Sequence, residues 1–241
     1  MFTISTLALI IFAAILHASF QLGASLLTLL SGHSLGKQRS KQHLASLNLS
    51  YIGGVFLASL LLLASLSYAA TLMPDTLTVS TTLWTIVAFL NIVIGVCVML
   101  FYFRRRSGTQ LWLPRIMAKY LTERTKKTKS SAEAFSLGIG SVIGELAFLI
   151  APLSLMALVL VQKTPYAQVG GLVLYIVIAT LPLLVVNAMI NFGQPVSTIQ
   201  RWRERYKYFL QYVAGSGLVI IGAYAFVNYV IGAQILKEIV R

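Results

Sequence analysis

The chain has 241 residues, 58% of them hydrophobic and 10% charged, with a mean hydropathy of +0.83. Soluble domains carry about 25% charged residues, so a soluble fold is excluded. The single cysteine, Cys97, excludes an intramolecular disulfide, a CxxC redox pair and a cysteine metal cluster.

The apolar residues gather into six blocks, each near the roughly 20 residues that cross a bilayer as a helix. In chain order these are Ile4 to Leu30, Leu47 to Leu72, Leu83 to Phe103, Phe135 to Val161, Val169 to Phe192 and Phe209 to Ile231. They are continuous runs, not the alternating ten-residue segments of a barrel, so helices are predicted. The first run is too long for a signal-peptide core, and no basic segment precedes it.

The net charge of +13 sorts by loop. Loop one holds Lys37, Arg39 and Lys41. Loop three holds Arg104, Arg105, Arg106, Arg115, Lys119, Arg124, Lys126, Lys127 and Lys129. Loop five holds Arg201, Arg203, Arg205 and Lys207. Of the 19 basic residues only Lys163, Lys237 and Arg241 lie elsewhere. The positive-inside rule then puts these three loops in the cytoplasm and both termini outside, in the inner membrane of a prokaryote. The charge excess reads as a topology signal with secondary attraction to anionic inner-leaflet lipid, not as a nucleic-acid surface.

In loop three, Leu113, Ile116, Met117, Tyr120 and Leu121 share one helical face, with Arg115, Lys119 and Thr122 opposite and Trp112 at the start. This predicts a short helix on the inner leaflet, with docking of a partner as the alternative.

Three spans followed by three spans predict two halves: residues 1–103 and 135–241, joined by the basic segment 104–134. Residues 19–24 align with 147–152, residues 90–95 with 210–215, and residues 51–54 with 168–171. An odd number of helices per half makes the halves enter the membrane from opposite sides, as in many secondary transporters, with the site near the midplane. The expected fold is therefore all-α: six transmembrane helices in two inverted three-helix repeats. Helix breaks are expected at Gly23, Gly144, Pro152 and Pro182, because a mid-span proline frees a carbonyl that must find a partner away from lipid.

Glu145 is the one acidic residue within a span. A charge at mid-bilayer costs at least about 2.5–3.5 kcal/mol, so it is a functional residue by default. It suits a proton carrier or a cation ligand; the plain alternative is a protonated carboxyl bonded to a neighbouring helix. His17, in span one, aligns with Glu145 across the repeat. The two could relay a proton, bind a cation or form a static pair. Gln21, Ser141 and Asn187, with Ser19, Ser25, Ser154 and Asn191, are candidates to line the same cavity; Asn91 and Asn228 are expected to bridge helices. No cofactor is expected: heme ligation needs a second membrane histidine, and His33 and His43 lie in loop one.

The run Gly138-Ile139-Gly140-Ser141-Val142-Ile143-Gly144 through Ala151-Pro152-Leu153, the pattern of Leu174, Tyr175, Leu181 and Pro182, and Gly215 followed by Gly222 together resemble the membrane domain of the DsbD/CcdA family, within the LysE-type superfamily. The resemblance implies two inverted three-helix repeats with broken first and fourth helices. It also implies a cysteine in each broken helix, where this chain has Gln21 and Leu149. Neither can exchange thiols, so the scaffold carries over and the electron relay does not. No hydrolase triad, Walker loop or zinc motif is present, and no enzyme is expected. The expected function is transport or export of a small solute or ion, proton-coupled through Glu145 and His17. The alternatives are a non-transporting membrane scaffold or accessory subunit and, last, a CcdA-type thiol relay. Expected partners are the bilayer and the solute; a homodimer or a membrane partner subunit stays open.

Overall fold

A computed structural model describes residues 3–20, 22–35, 41–73, 80–101 and 115–239. The described residues are helical throughout, apart from short turns. The helices are α1 (Ile4–Ala18), α2 (Leu22–Leu35), α3 (Lys41–Thr71), α4 (Thr81–Phe101), α5 (Arg115–Lys127), α6 (Ser131–Val161), α7 (Pro165–Asn191), α8 (Val196–Ala225) and α9 (Gly232–Ile239), with a π-helical turn at Phe226–Ile231 between the last two. Five helices are long and apolar enough to cross a membrane; α1 and α2, inclined by 44° at a short break, make a sixth candidate when taken together.

Local chemistry sets the ends. Thr3 caps α1 by accepting the Thr6 amide at 3.3 Å. The helix closes at Ser19, whose hydroxyl turns back to the Ile15 carbonyl at 2.8 Å. Helix α6 starts one turn before its apolar run, because Ser130 and Glu133 form a capping box. Each side chain there satisfies an amide that the helix start leaves unpaired. Pro165 opens α7 at its first turn, where its missing amide costs nothing. Helix α8 follows a tight turn at Gly193 (φ 86°) and starts at Val196, so the basic loop five is itself helical.

Two features depart from the sequence expectation. The break in the first span is present, close to Gly23, but Gly144 and Pro152 lie inside the uninterrupted α6, and Pro182 inside α7. At Pro152 the neighbouring Ala151 carbonyl accepts the side-chain amide of Asn91 from α4 at 3.0 Å. Helix α6 is also the most enclosed span, 67% buried across its apolar window, so its packing holds the helix through the proline. The second departure is α5. Leu121 is buried and Tyr120 exposed, and the helix packs on α2 and α6 instead of resting on lipid alone. Trp112 and Leu113 fall outside the described residues.

The most extensive pairings are α3 with α6 and α4 with α8, and α7 packs on α1 and α3. At the α3–α6 crossing Gly54 and Gly138 face each other. A Cβ on Gly54 would lie 3.2 Å from the Gly138 Cα and against the Phe135 carbonyl. Small residues allow this approach, the usual basis of helix packing where lipid is as apolar as the side chains. Near the π-helical turn, Trp84 of α4 stacks on Tyr229 at 3.8 Å and 10°.

Cys97 is half-buried on α4. Cys97→Ala is expected to leave the melting temperature and any activity unchanged, since a lone thiol cannot pass electrons on. Loss of thiol reduction on the outer face in that variant would restore the relay function.

Candidate functional site

A cavity of about 700 Å³ lies among α1, α2, α6, α7 and α8. That is within the usual range for small-molecule sites, roughly 300–1,000 Å³. His17, Ser19, Ser141, Glu145 and Arg203 supply ionisable and hydroxyl groups to its lining, and the rest is mostly apolar. His17 sits in the last turn of α1, just before the break. Glu145 projects from the middle of α6, and both side chains are about nine-tenths buried. The end of α1, just before the break, thus borders the same cavity as the α6 carboxyl.

The hydrogen bond that orients His17 comes from α7: its Nδ1 lies 3.2 Å from the Tyr175 hydroxyl, with the rings tilted by 55°. His17 and Glu145 thus share a cavity, while the bond that fixes His17 runs to Tyr175, to which the sequence assigned no site role. Ser141, one turn before Glu145, donates to the Gly138 carbonyl at 2.7 Å. Tyr51 of α3 donates to the Gly23 carbonyl at 2.9 Å, across the break.

Not all the expected lining residues reach the cavity. Asn187 accepts from Asn48 at 3.1 Å, and Asn48 in turn accepts from Ser31 at 3.1 Å. This buried chain ties α2, α3 and α7 together beside the cavity, and Asn187 is not in its wall. Ser154 bonds its own helix, Asn191 is exposed, and Asn228 bonds back to the Tyr224 carbonyl. Gln21 lies outside the described residues. Asn91 bridges α4 to α6 as expected.

Arg203 is the residue that sequence reasoning missed. It is 4% exposed and reaches from α8 to α2, donating to the Ser25 hydroxyl at 2.5 Å and to Thr28 at 3.4 Å. Pro182 and Gly23 both line the cavity, whereas Gly144 and Pro152 do not. Among the described residues no three His, Cys, Asp or Glu side chains cluster as a metal site would need.

Comparison with protein-family profiles, with curated proteins and with solved structures gives no match. No family is identified for the chain by these comparisons.

Proposed function

We propose that this chain is a membrane transporter of a small solute or ion, built as two inverted three-helix repeats around the cavity that holds His17 and Glu145. The observation that carries the reading is that two ionisable side chains from different spans line one cavity of ligand size. A scaffold subunit has no use for such a space, and its membrane carboxyl would be expected inside a closed helix contact.

Helix pairing supports six spans and the inverted repeat. Contacts advance in the same direction along α1–α2 and α7, from His17 with Tyr175 to Gly23 with Leu183. The broken pair thus runs alongside a full span. At the α4–α8 crossing, Gly95 and Gly215 occupy matched places in the two halves. A Cβ on Gly95 would lie 2.6 Å from the Gly215 carbonyl, and one on Gly215 2.7 Å from the Gly95 carbonyl. Such mutual contact of matched residues is what a two-fold axis passing between them requires.

In this reading both termini are extracytoplasmic, because loops one, three and five carry most of the basic charge. Alkaline phosphatase fused to the C-terminus should be active. An inactive phosphatase paired with a bright C-terminal fluorescent protein, which matures inside, would overturn the orientation.

Transport itself is tested in proteoliposomes loaded with a pH-reporting dye and challenged with a panel of small acids, amines and salts. The expected result is a protein-dependent signal for at least one solute, lost on Glu145→Leu. If no solute gives a signal and reconstituted protein is folded, the scaffold reading takes its place.

A further inference from the structure

We infer that an anionic phospholipid docks in the crevice between α5 and α6, with its phosphate on Arg124 and Lys127 and its chains along Tyr120 and Ile143. Such docking is independent of transport and concerns a different part of the molecule from the His17 cavity.

The crevice encloses about 310 Å³. It forms because α5 folds back along α6. Only residues 128–130 separate the two helices, and a Cβ on Gly140 would lie 3.4 Å from the Leu121 side chain. The helices therefore run antiparallel, and the crevice has two unlike ends. Near the turn its lining is Arg124, Lys127, Thr128 and Glu133; farther along it is Tyr120, Leu121, Ile139 and Ile143. The polar end sits where span four leaves its apolar run, which starts at Phe135. The other end lies along that run, and Tyr120 and Ile143 are more than half exposed on the outer surface of the bundle. A phospholipid has the same order, with a charged head at the membrane surface and chains toward the midplane. The crevice has room for a phosphoglycerol head and the start of its chains, which continue over the exposed Tyr120 and Ile143.

Charge selects the head. The hydroxyls of Thr128 and Ser136 donate to carbonyls of their own helices, those of Arg124 at 2.8 Å and Ala132 at 3.0 Å. Recognition at this end therefore falls to Arg124 and Lys127. The Glu133 carboxylate is turned to the backbone, accepting the Lys129 amide at 2.6 Å and the Ser130 amide at 3.3 Å. Two cations and one carboxylate leave the lining net positive, and the exposed Lys126 and Lys129 beside it outweigh Glu123. The sum of charge decides this, whatever ion pairs form within it. A zwitterionic head brings its own cation to the same place and gains less. A soluble anion leaves the apolar end uncovered.

Tyr120→Trp in a Trp84→Phe, Trp112→Phe, Trp202→Phe background places the remaining tryptophan at the apolar end. Bromine on a lipid chain quenches its fluorescence on contact. The full chain is reconstituted in vesicles in which chain-brominated phosphatidylglycerol or chain-brominated phosphatidylcholine replaces a rising share of unlabelled phosphatidylcholine. Phosphatidylglycerol should be favoured at this position by at least about fivefold, the effect of one well-placed basic residue. Arg124→Gln with Lys127→Gln should bring the ratio to within about twofold of unity, and Arg124→Lys with Lys127→Arg should keep most of it. Both side chains are exposed, so the fold does not depend on them. Arg201→Gln with Arg205→Gln removes the same charge from exposed positions outside the crevice and should leave the ratio unchanged.

Equal quenching by the two lipids before neutralisation would overturn the inference. Equal loss of preference in the two neutralised pairs would do so as well, because it reduces the effect to general surface charge. So would full displacement of the brominated phosphatidylglycerol by inorganic phosphate at constant ionic strength, which would make the crevice a soluble-anion site.

Discussion

Gly138→Leu is expected to abolish the folded state, and Gly138→Ala to lower stability by roughly 1–3 kcal/mol, the usual cost of overfilling a packed contact. A Cβ at Gly138 would fall on the Tyr51 carbonyl, 2.9 Å from the Val55 nitrogen and 3.1 Å from the Gly54 Cα. These are backbone atoms, so no side-chain rotation relieves the overlap and the two helices must move apart. The pair is the most extensive in the protein. Separation exchanges helix contact for lipid contact with no gain in apolar burial, because lipid tails are as apolar as leucine. Gly170 is the internal control. Nothing lies within 4 Å of its would-be Cβ, so Gly170→Ala should change stability by under about 0.5 kcal/mol. Thermal unfolding of the three variants in one detergent measures the contrast, and equal melting of Gly138→Ala and Gly170→Ala would remove the close crossing.

Glu145→Leu should abolish transport while barely changing stability. The carboxyl lies mid-span in the cavity wall, where hydrogen bonds between helices are worth about 0.6 kcal/mol on average. The leucine variant therefore loses little that holds the helices together, and it loses the only group on α6 within the cavity that can take up or release a proton. Glu145→Gln preserves the shape and polarity of a protonated carboxyl. It should keep the fold and flatten the dependence of flux on pH, because the amide does not titrate in that range. His17→Ala removes the contact to Tyr175 and should weaken binding or shift the pH at which flux is half-maximal. A folded Glu145→Leu variant with full flux at two pH values would take Glu145 out of the mechanism.

The spans were legible because a run of apolar residues the thickness of a bilayer permits little else. Helix ends were less so, and the reason is physical. Hydropathy finds where a helix leaves the apolar layer, not where its hydrogen bonds stop. Helix α8 begins at Val196, well before the apolar run starting at Phe209, and this shift hid Arg203. Read as a loop, Arg201, Arg203, Arg205 and Lys207 are one basic cluster. Read as a helix, Ile199, Arg203, Lys207, Gln211 and Ala214 form a stripe at spacings of four and three. All five are buried, while Arg201 and Arg205 are exposed. Gly144, Pro152 and Pro182 misled in the other direction. They marked α6 and α7 for breaks, but both helices run on through them, and the bend lies near Gly23 in a first span that contains no proline. His17, Ser141 and Glu145 were found together because an ionisable group within a span needs a polar or watery setting, and that requirement is visible in one sequence. Tyr175, which orients His17, carried no such signal as a site residue; a tyrosine in an apolar helix is unremarkable until its neighbour is known.

Water access to the cavity is the central claim, and thiol labelling tests it most directly. Ser141 and Leu149, two turns apart on the same helix, are both buried, but Ser141 lines the cavity and Leu149 does not. In a Cys97→Ala background, Ser141→Cys and Leu149→Cys each leave one cysteine in the chain. A small water-soluble methanethiosulfonate reacts with thiolate, which forms only where water reaches. In native membranes Ser141→Cys should be modified readily and Leu149→Cys hardly at all, with Ser141→Cys labelling slowed when an occupant fills the cavity. Equal, negligible labelling of both cysteines in folded protein would mean a closed interior, and would contradict a solute path through His17 and Glu145.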